Sequence, residues 1–214
     1  MDTIERIARQ PVLPVIVIDD AESAVPLAEA LVAGGMTSIE ITFRTSAAAE
    51  AIKRIRDCVP DMLVGAGTLL SPENAEAALE AGAEFGLAPG LSEEVVNVFA
   101  DADKLFIPGI MTPTEINQAA SMGCQYLKFF PAETAGGAAN LKAMNAAYKH
   151  LGLKYCPTGG ITLANMEKYL SLPEVFAVGG SWIATREQIA SGNWEAIAGQ
   201  ARAALTQASR IRQA

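Results

Sequence analysis

The run "QYLKFFPAE", Gln125 to Glu133, places Lys128 among Tyr126, Leu127, Phe129 and Phe130 in what reads as a buried strand. Burying an ammonium is costly unless the group is paired or sheds its proton. Either this lysine reaches water or the chain holds it for chemistry, and the chemistry open to a desolvated lysine is that of a nucleophilic amine. A second polar group lies in "SIEITFR", where strand alternation puts Ser38, Glu40, Thr42 and Arg44 on one face and the apolar residues on the other. The apolar face must pack on helices, so Glu40 and Arg44 are expected at the inner face or just beyond it. The same parity turns Tyr126, Lys128 and Phe130 inward.

Further polar positions fall at strand ends. Thr68 follows "GAG", whose glycines permit close approach of a ligand or neighbouring strand. Thr158 precedes Gly159 and Gly160, and a later strand ends in Gly179, Gly180 and Ser181. Paired glycines after strands can hold a phosphate on backbone N–H groups. Each feature also has a plainer explanation: a Glu–Arg salt bridge, ordinary turns, or a lysine that pairs with Glu40 and does nothing else. The functional reading rests on their convergence at one end of the strands. Lys154 is the control, a lysine at a strand start that is expected to be solvated.

The elements that must position these groups alternate regularly. Short strand-like runs begin at Pro14, Ser38, Met62, Glu84, Leu105, Tyr126, Tyr155 and Val175, and between them lie Ala-rich segments of helical period such as "SPENAEAALEAGA". Many of these segments open on a Ser, Thr or Asp capping candidate and close on a glycine such as Gly34, Gly82 or Gly123. The pattern predicts an α/β protein with a single (β/α)8 barrel domain over residues 1–214, its bottom closed by a short N-terminal helix. The competing open doubly wound sheet wants a Gly-rich first turn, and "DDAESAV" has none.

Composition narrows the function classes. The formal charge is −8, from 24 acidic and 16 basic residues, and the basic ones form no run. That balance argues against a nucleic-acid partner and for small-molecule partners. No apolar run approaches the roughly 20 residues needed to span a bilayer, and the opening "MDTIERIARQ" lacks signal-peptide features. No membrane association and a cytoplasmic location are the expectations. Cys58, Cys124 and Cys156 are far apart, and His150 is the single histidine, so neither a disulfide framework nor a metal site is expected.

The stretches "PVIVIDD", "ALVAGG", "IEITFRT", "VGAGT", "APG", "IPGIMTPTE", "KFFPAE", "CPTGGI" and "VGGSW" run in order along nearly the whole chain. Together they closely resemble the 2-keto-3-deoxy-6-phosphogluconate aldolases, also described as 4-hydroxy-2-oxoglutarate aldolases. The resemblance implies a homotrimeric class I aldolase that needs no metal or cofactor and acts on a phosphorylated 2-keto acid. It makes Lys128 the Schiff-base lysine and Glu40 the acid/base. It has Arg44 and Thr68 hold the pyruvyl carboxylate, Pro89 and Phe130 line the pocket, and Thr158 contact the sugar portion. Gly159, Gly160, Gly179, Gly180 and Ser181 are then the phosphate cradle.

Carbon–carbon cleavage beside a ketone needs an electron sink, which a protonated imine on Lys128 supplies. Burial opposes charge on the lysine and a close carboxylate favours it, so Glu40 and Lys128 are expected to communicate through water rather than as a tight pair. The 6-phosphogalactonate epimer and 4-hydroxy-2-oxoglutarate stay open as substrates, and a phosphosugar isomerase or synthase barrel stays open as a different activity.

Overall fold

In the computed structural model, which describes residues 2–213, parallel strands alternate with helices. The strands are β1 (Val12–Ile16), β2 (Ser38–Thr42), β3 (Leu63–Gly67), β4 (Phe85–Leu87), β5 (Leu105–Ile107), β6 (Gly109–Ile110), β7 (Tyr126–Phe129), β8 (Lys154–Tyr155) and β9 (Val178–Gly180). Six of them form one sheet in the order β5-β4-β3-β2-β1-β9, and three form a second in the order β6-β7-β8. Isolated parallel bridges join Tyr155 to Val175 and Thr158 to Gly179. The architecture is α/β with parallel sheets, as the alternation predicted.

The expected fifth strand from Leu105 is cut into β5 and β6 at Pro108. Proline has no N–H to donate to a ladder. Its carbonyl still accepts from Lys128 N–H at 2.8 Å, so the break leaves β7 anchored on the Pro108 segment.

Strand parity sorts the apolar residues into two cores. Ile39, Ile41, Val64, Ala66, Leu127, Phe129 and Val178 belong to the larger cluster with buried helix residues such as Leu27, Ile52 and Ile116. Leu13, Leu63, Phe85, Leu87, Ile107, Cys156 and Phe176 form a second cluster on the opposite faces of the strands. Ile7, from the N-terminal helix Thr3–Arg9, is fully buried in this inner cluster. The helix thus packs on this cluster through Ile7.

The helix ends follow local chemistry. Ser71 caps the helix Pro72–Glu80 with a proline at its start, and Thr112 with Glu115 forms a reciprocal capping box at the helix Pro113–Ser121. Gly82 and Gly123 have φ of +93° and +81° just past helix ends, as expected. At the helix Ala24–Ala33 the left-handed position is Gly35 rather than Gly34. Gly34 instead lets the C-terminal helix approach, since a Cβ there would lie 2.5 Å from that of Ala201. Among the described residues no helix is long and apolar enough to cross a membrane.

Candidate active site

Lys128 on β7 and Glu40 on β2 reach the same point between the strands. Lys128 Nζ donates to Glu40 Oε1 at 3.0 Å, and both residues are almost wholly inaccessible to solvent. The expectation of a water-mediated relationship is therefore corrected: the two groups touch. The physical reason lies in the neighbouring strands. Gly109 pairs with Lys128 in the β6–β7 register, and Gly65 pairs with Glu40 in the β2–β3 register. Two residues on, Gly67 leaves the space that the Glu40 carboxylate fills. Small residues flank both long side chains, and the two meet in the gap.

The second carboxylate oxygen, Glu40 Oε2, is buried without a hydrogen-bond partner. Unpartnered buried oxygens are costly and uncommon. Here the orphan sits beside the buried amine. A groove of about 740 Å³ opens elsewhere, lined by Ile4, Arg9, Tyr126, Lys154, Phe176 and Arg212 at the strand starts. Size alone does not locate chemistry, and the buried titratable pair lies toward the other end of the strands. Lys154, expected to be solvated, is partly buried, with Nζ donating to Pro173 C=O at 3.0 Å.

The other predicted residues distribute around the pair. Phe130 lies beside the amine, its ring centroid 5.8 Å from Lys128 Nζ. Pro89, after β4, is half-buried, and its carbonyl would be 2.2 Å from a Cβ on Gly109, so only glycine fits there. Thr68 has φ +57°, a left-handed conformation that a β-branched residue adopts only under constraint. Thr158 is buried, and its Oγ1 fills the space above Gly179, where a Cβ would be 2.3 Å away.

Arg44 departs from the parity argument. β2 ends at Thr42, and Arg44 N–H turns back to Thr42 C=O at 2.8 Å, so Arg44 is an exposed turn residue rather than a strand residue. It forms no ion pair among the described residues, which removes the Glu40–Arg44 salt bridge as an explanation of either residue.

The glycine groups divide. Gly159 and Gly160 have φ of +100° and +77°, and their N–H groups donate to no protein acceptor among the described residues. Gly179 N–H is committed to Pro157 C=O at 2.8 Å, so this residue contributes space for Thr158 rather than a free donor. Gly180 pairs with Pro14 and is covered by the Trp182 ring, while Ser181 is exposed at the start of a 3₁₀ turn.

With this geometry in view, comparison with known proteins is decisive. The KDPG and KHG aldolase family model matches residues 3–200. The chain belongs to this family. It is 43% identical over 199 residues to the 2-dehydro-3-deoxy-phosphogluconate aldolase of Dickeya dadantii, covering 93% of this chain and 92% of that one. It is 42% identical to the KHG/KDPG aldolase of Escherichia coli K12, covering 91% of each. A crystal structure of the Legionella pneumophila KDPG aldolase, with pyruvate captured as a covalent carbinolamine, superposes with a TM-score of 0.90 at 41% identity. That match covers 95% of this chain and 98% of the other. The protein is thus an aldolase, a carbon–carbon lyase.

Sequence reasoning missed the specific parts of Gly67 and Gly109. A glycine inside each of two strand runs was the available signal, but naming what each admits requires the register. It also missed Glu133 and Tyr169, which are far apart in sequence and meet beside Gly137, with the Glu133 stem against Gly160.

Proposed function

We propose that the protein cleaves 2-dehydro-3-deoxy-6-phosphogluconate to pyruvate and glyceraldehyde 3-phosphate through a Schiff base on Lys128, with no metal or other cofactor. The observation that carries this reading is the buried Lys128–Glu40 contact with Glu40 Oε2 left unpartnered. A structural ion pair would be expected to satisfy both carboxylate oxygens, whereas an acid/base needs one free.

The direct contact gives the amine its route to the neutral form, because Glu40 can take the Nζ proton itself. Nζ then attacks the C2 ketone. Glu40 returns a proton to the carbinolamine hydroxyl, which leaves as water, and the resulting iminium is the electron sink. Glu40, again a carboxylate, removes the C4 hydroxyl proton. The C3–C4 electrons move into the iminium, the aldehyde departs, and an enamine remains. Glu40 delivers its proton to C3, and water hydrolyses the imine to release pyruvate. One carboxylate serves every step because the steps occur in sequence.

Arg44 and Thr68 are the proposed holders of the substrate carboxylate, and an arginine fork suits that task. Pro89, Phe130 and Thr158 form the proposed pocket wall. Gly159, Gly160, Gly180 and Ser181 are the proposed cradle for the phosphate, with Gly179 behind them.

We further infer that residues 1–214 form one closed (β/α)8 barrel that works as a homotrimer. Support for closure comes from reading β5 and β6 as one strand interrupted at Pro108, and from the two bridges that connect the β8 segment to the β9 segment. The trimer rests on family resemblance, and light scattering on the eluting protein tests it. 4-Hydroxy-2-oxoglutarate is a second candidate substrate, because the Escherichia coli relative carries both activities in its name. The function is tested by following pyruvate release from each compound by purified enzyme, with and without EDTA. Release from the phosphorylated sugar acid that persists in EDTA is the expected result. No release from either compound would overturn the proposal.

A further inference from the structure

The Gly159–Gly160 turn is backed by a side chain that no part of the reaction uses. Ala132 N–H donates to Thr158 C=O at 2.8 Å and Glu133 N–H donates to Gly159 C=O at 3.1 Å, so the segment after Lys128 runs along the turn as an added edge. A Cβ on Gly160 would lie 2.8 Å from Glu133 Cβ and 2.9 Å from its Cγ, so the Glu133 stem is the wall against which this left-handed glycine rests. On the far side, Asn165 Nδ2 donates to Gly160 C=O at 2.9 Å while its Oδ1 accepts from Thr162 N–H at 2.7 Å.

What holds the Glu133 stem in place is Tyr169. This residue is fully buried in the helix Met166–Leu170, and its hydroxyl donates to Glu133 Oε1. The bond crosses from the loop after β7 to the helix that follows the glycine turn, tying together the two segments between which the turn lies. It also holds the carboxylate at Tyr169 and Gly137, where a Cβ on Gly137 would lie 3.8 Å from Glu133 Oε1 and 3.5 Å from the Tyr169 hydroxyl. A carboxylate freed from that tether would compete for the Gly159 and Gly160 amides and repel a phosphate.

We infer that Glu133 and Tyr169 are positioning residues for the phosphate end of the substrate: the Tyr169 hydroxyl tethers the Glu133 side chain, which in turn shapes the Gly159–Gly160 turn and keeps its own charge off the free amides. The pair touches neither Lys128 nor Glu40, so its influence is confined to the phosphorylated end. This inference rests on the proposed aldolase reading and deepens it by assigning residues that set preference for a phosphorylated substrate.

The test compares wild type, Tyr169→Phe, Glu133→Ala and Glu133→Gln in two reactions. One is cleavage of 2-dehydro-3-deoxy-6-phosphogluconate, and the other is enamine-dependent exchange of the pyruvate methyl hydrogens with deuterium oxide, which involves no phosphate. Tyr169→Phe and Glu133→Ala should raise KM for the phosphorylated substrate by roughly fivefold to tenfold, about what one net hydrogen bond is worth. Their kcat and pyruvate exchange should stay within about twofold of wild type. Inorganic phosphate should weaken as a competitive inhibitor by the same factor as KM rises. Glu133→Gln keeps an oxygen that can accept from Tyr169 and should restore near-wild-type KM.

Equal losses in cleavage and exchange, accompanied by a lowered melting temperature, would overturn the inference and make the pair a structural tie. Unchanged KM in Tyr169→Phe and Glu133→Ala would overturn it as well. A wild-type protein inactive in both reactions would instead remove the aldolase reading beneath it.

Discussion

Glu40 occupies space that Gly67 leaves open: a Cβ at position 67 would lie 2.0 Å from Glu40 Oε1 and 2.6 Å from its Cδ. The proposed catalytic carboxylate of β2 is therefore placed by a missing methyl group on β3. Gly67→Ala should displace the carboxylate from Lys128 and lower kcat by roughly 100-fold, the scale of a misplacement of about 1 Å. Overpacking should cost about 1–3 kcal/mol of stability without loss of fold. Steady-state kinetics beside a thermal melt checks this, and near-normal turnover would show that Glu40 acts from another position.

Thr68 gives a prediction of opposite sign for stability. Its φ of +57° stores strain of about 1–3 kcal/mol, which glycine relieves at an entropic cost of about 0.5–1 kcal/mol. Thr68→Gly should melt no lower than wild type while KM rises, because the hydroxyl proposed to hold the substrate carboxylate is gone. Calorimetry and kinetics on one preparation separate the two effects.

Arg44 and Glu40 should fail differently. Arg44 is exposed and unpaired by any carboxylate among the described residues, so Arg44→Ala should leave thermal stability within about 0.5 kcal/mol and chiefly raise KM. Glu40→Gln keeps the shape, removes the proposed base and leaves the buried Lys128 amine without its anion, so kcat should fall by roughly 100-fold or more, with a loss of stability that Arg44→Ala does not show.

The Thr112–Glu115 capping box predicts a pH dependence of stability. Burial works against charge on Glu115, but donation from Met111 N–H and from the Thr112 hydroxyl and N–H outweighs it and holds the carboxyl below the ordinary value of 4.5. A folded-state value below the unfolded one means stabilisation present above about pH 4.5 and lost as pH falls through the folded value. Glu115→Gln should be less stable than wild type at neutral pH, with the gap narrowing below about pH 4. Denaturant melts across that range measure it.

Much of the site was legible in the sequence because period-2 alternation is a strong constraint once a strand is identified. Lys128 between Leu127 and Phe129, and Glu40 between Ile39 and Ile41, could face only inward, since their apolar neighbours pack against helices. Arg44 escaped the same logic because the strand stops at Thr42, and alternation says nothing about a turn. Pro108 was visible as a residue without a donor, but that β7 continues to pair across the break through the proline carbonyl is a property of register. The direct Lys128–Glu40 contact was misjudged for a related reason. Its length depends on Gly67 and Gly109 standing beside the two side chains, and one-dimensional spacing does not reveal which strand residues become neighbours.

The Schiff base on Lys128 is tested most directly by chemical capture. Mutation of Lys128 is ambiguous, because it leaves Glu40 buried without its cation, a loss worth about 3–5 kcal/mol of stability in itself. Borohydride reduction of the intact enzyme in the presence of pyruvate avoids that difficulty, since it converts an imine to a stable secondary amine where it forms. Peptide mapping by mass spectrometry should then find the reduced pyruvyl group on Lys128 and not on Lys154, with activity lost in proportion to labelling. An enzyme that turns over its substrate yet shows Lys128 unmodified after reduction would contradict the account.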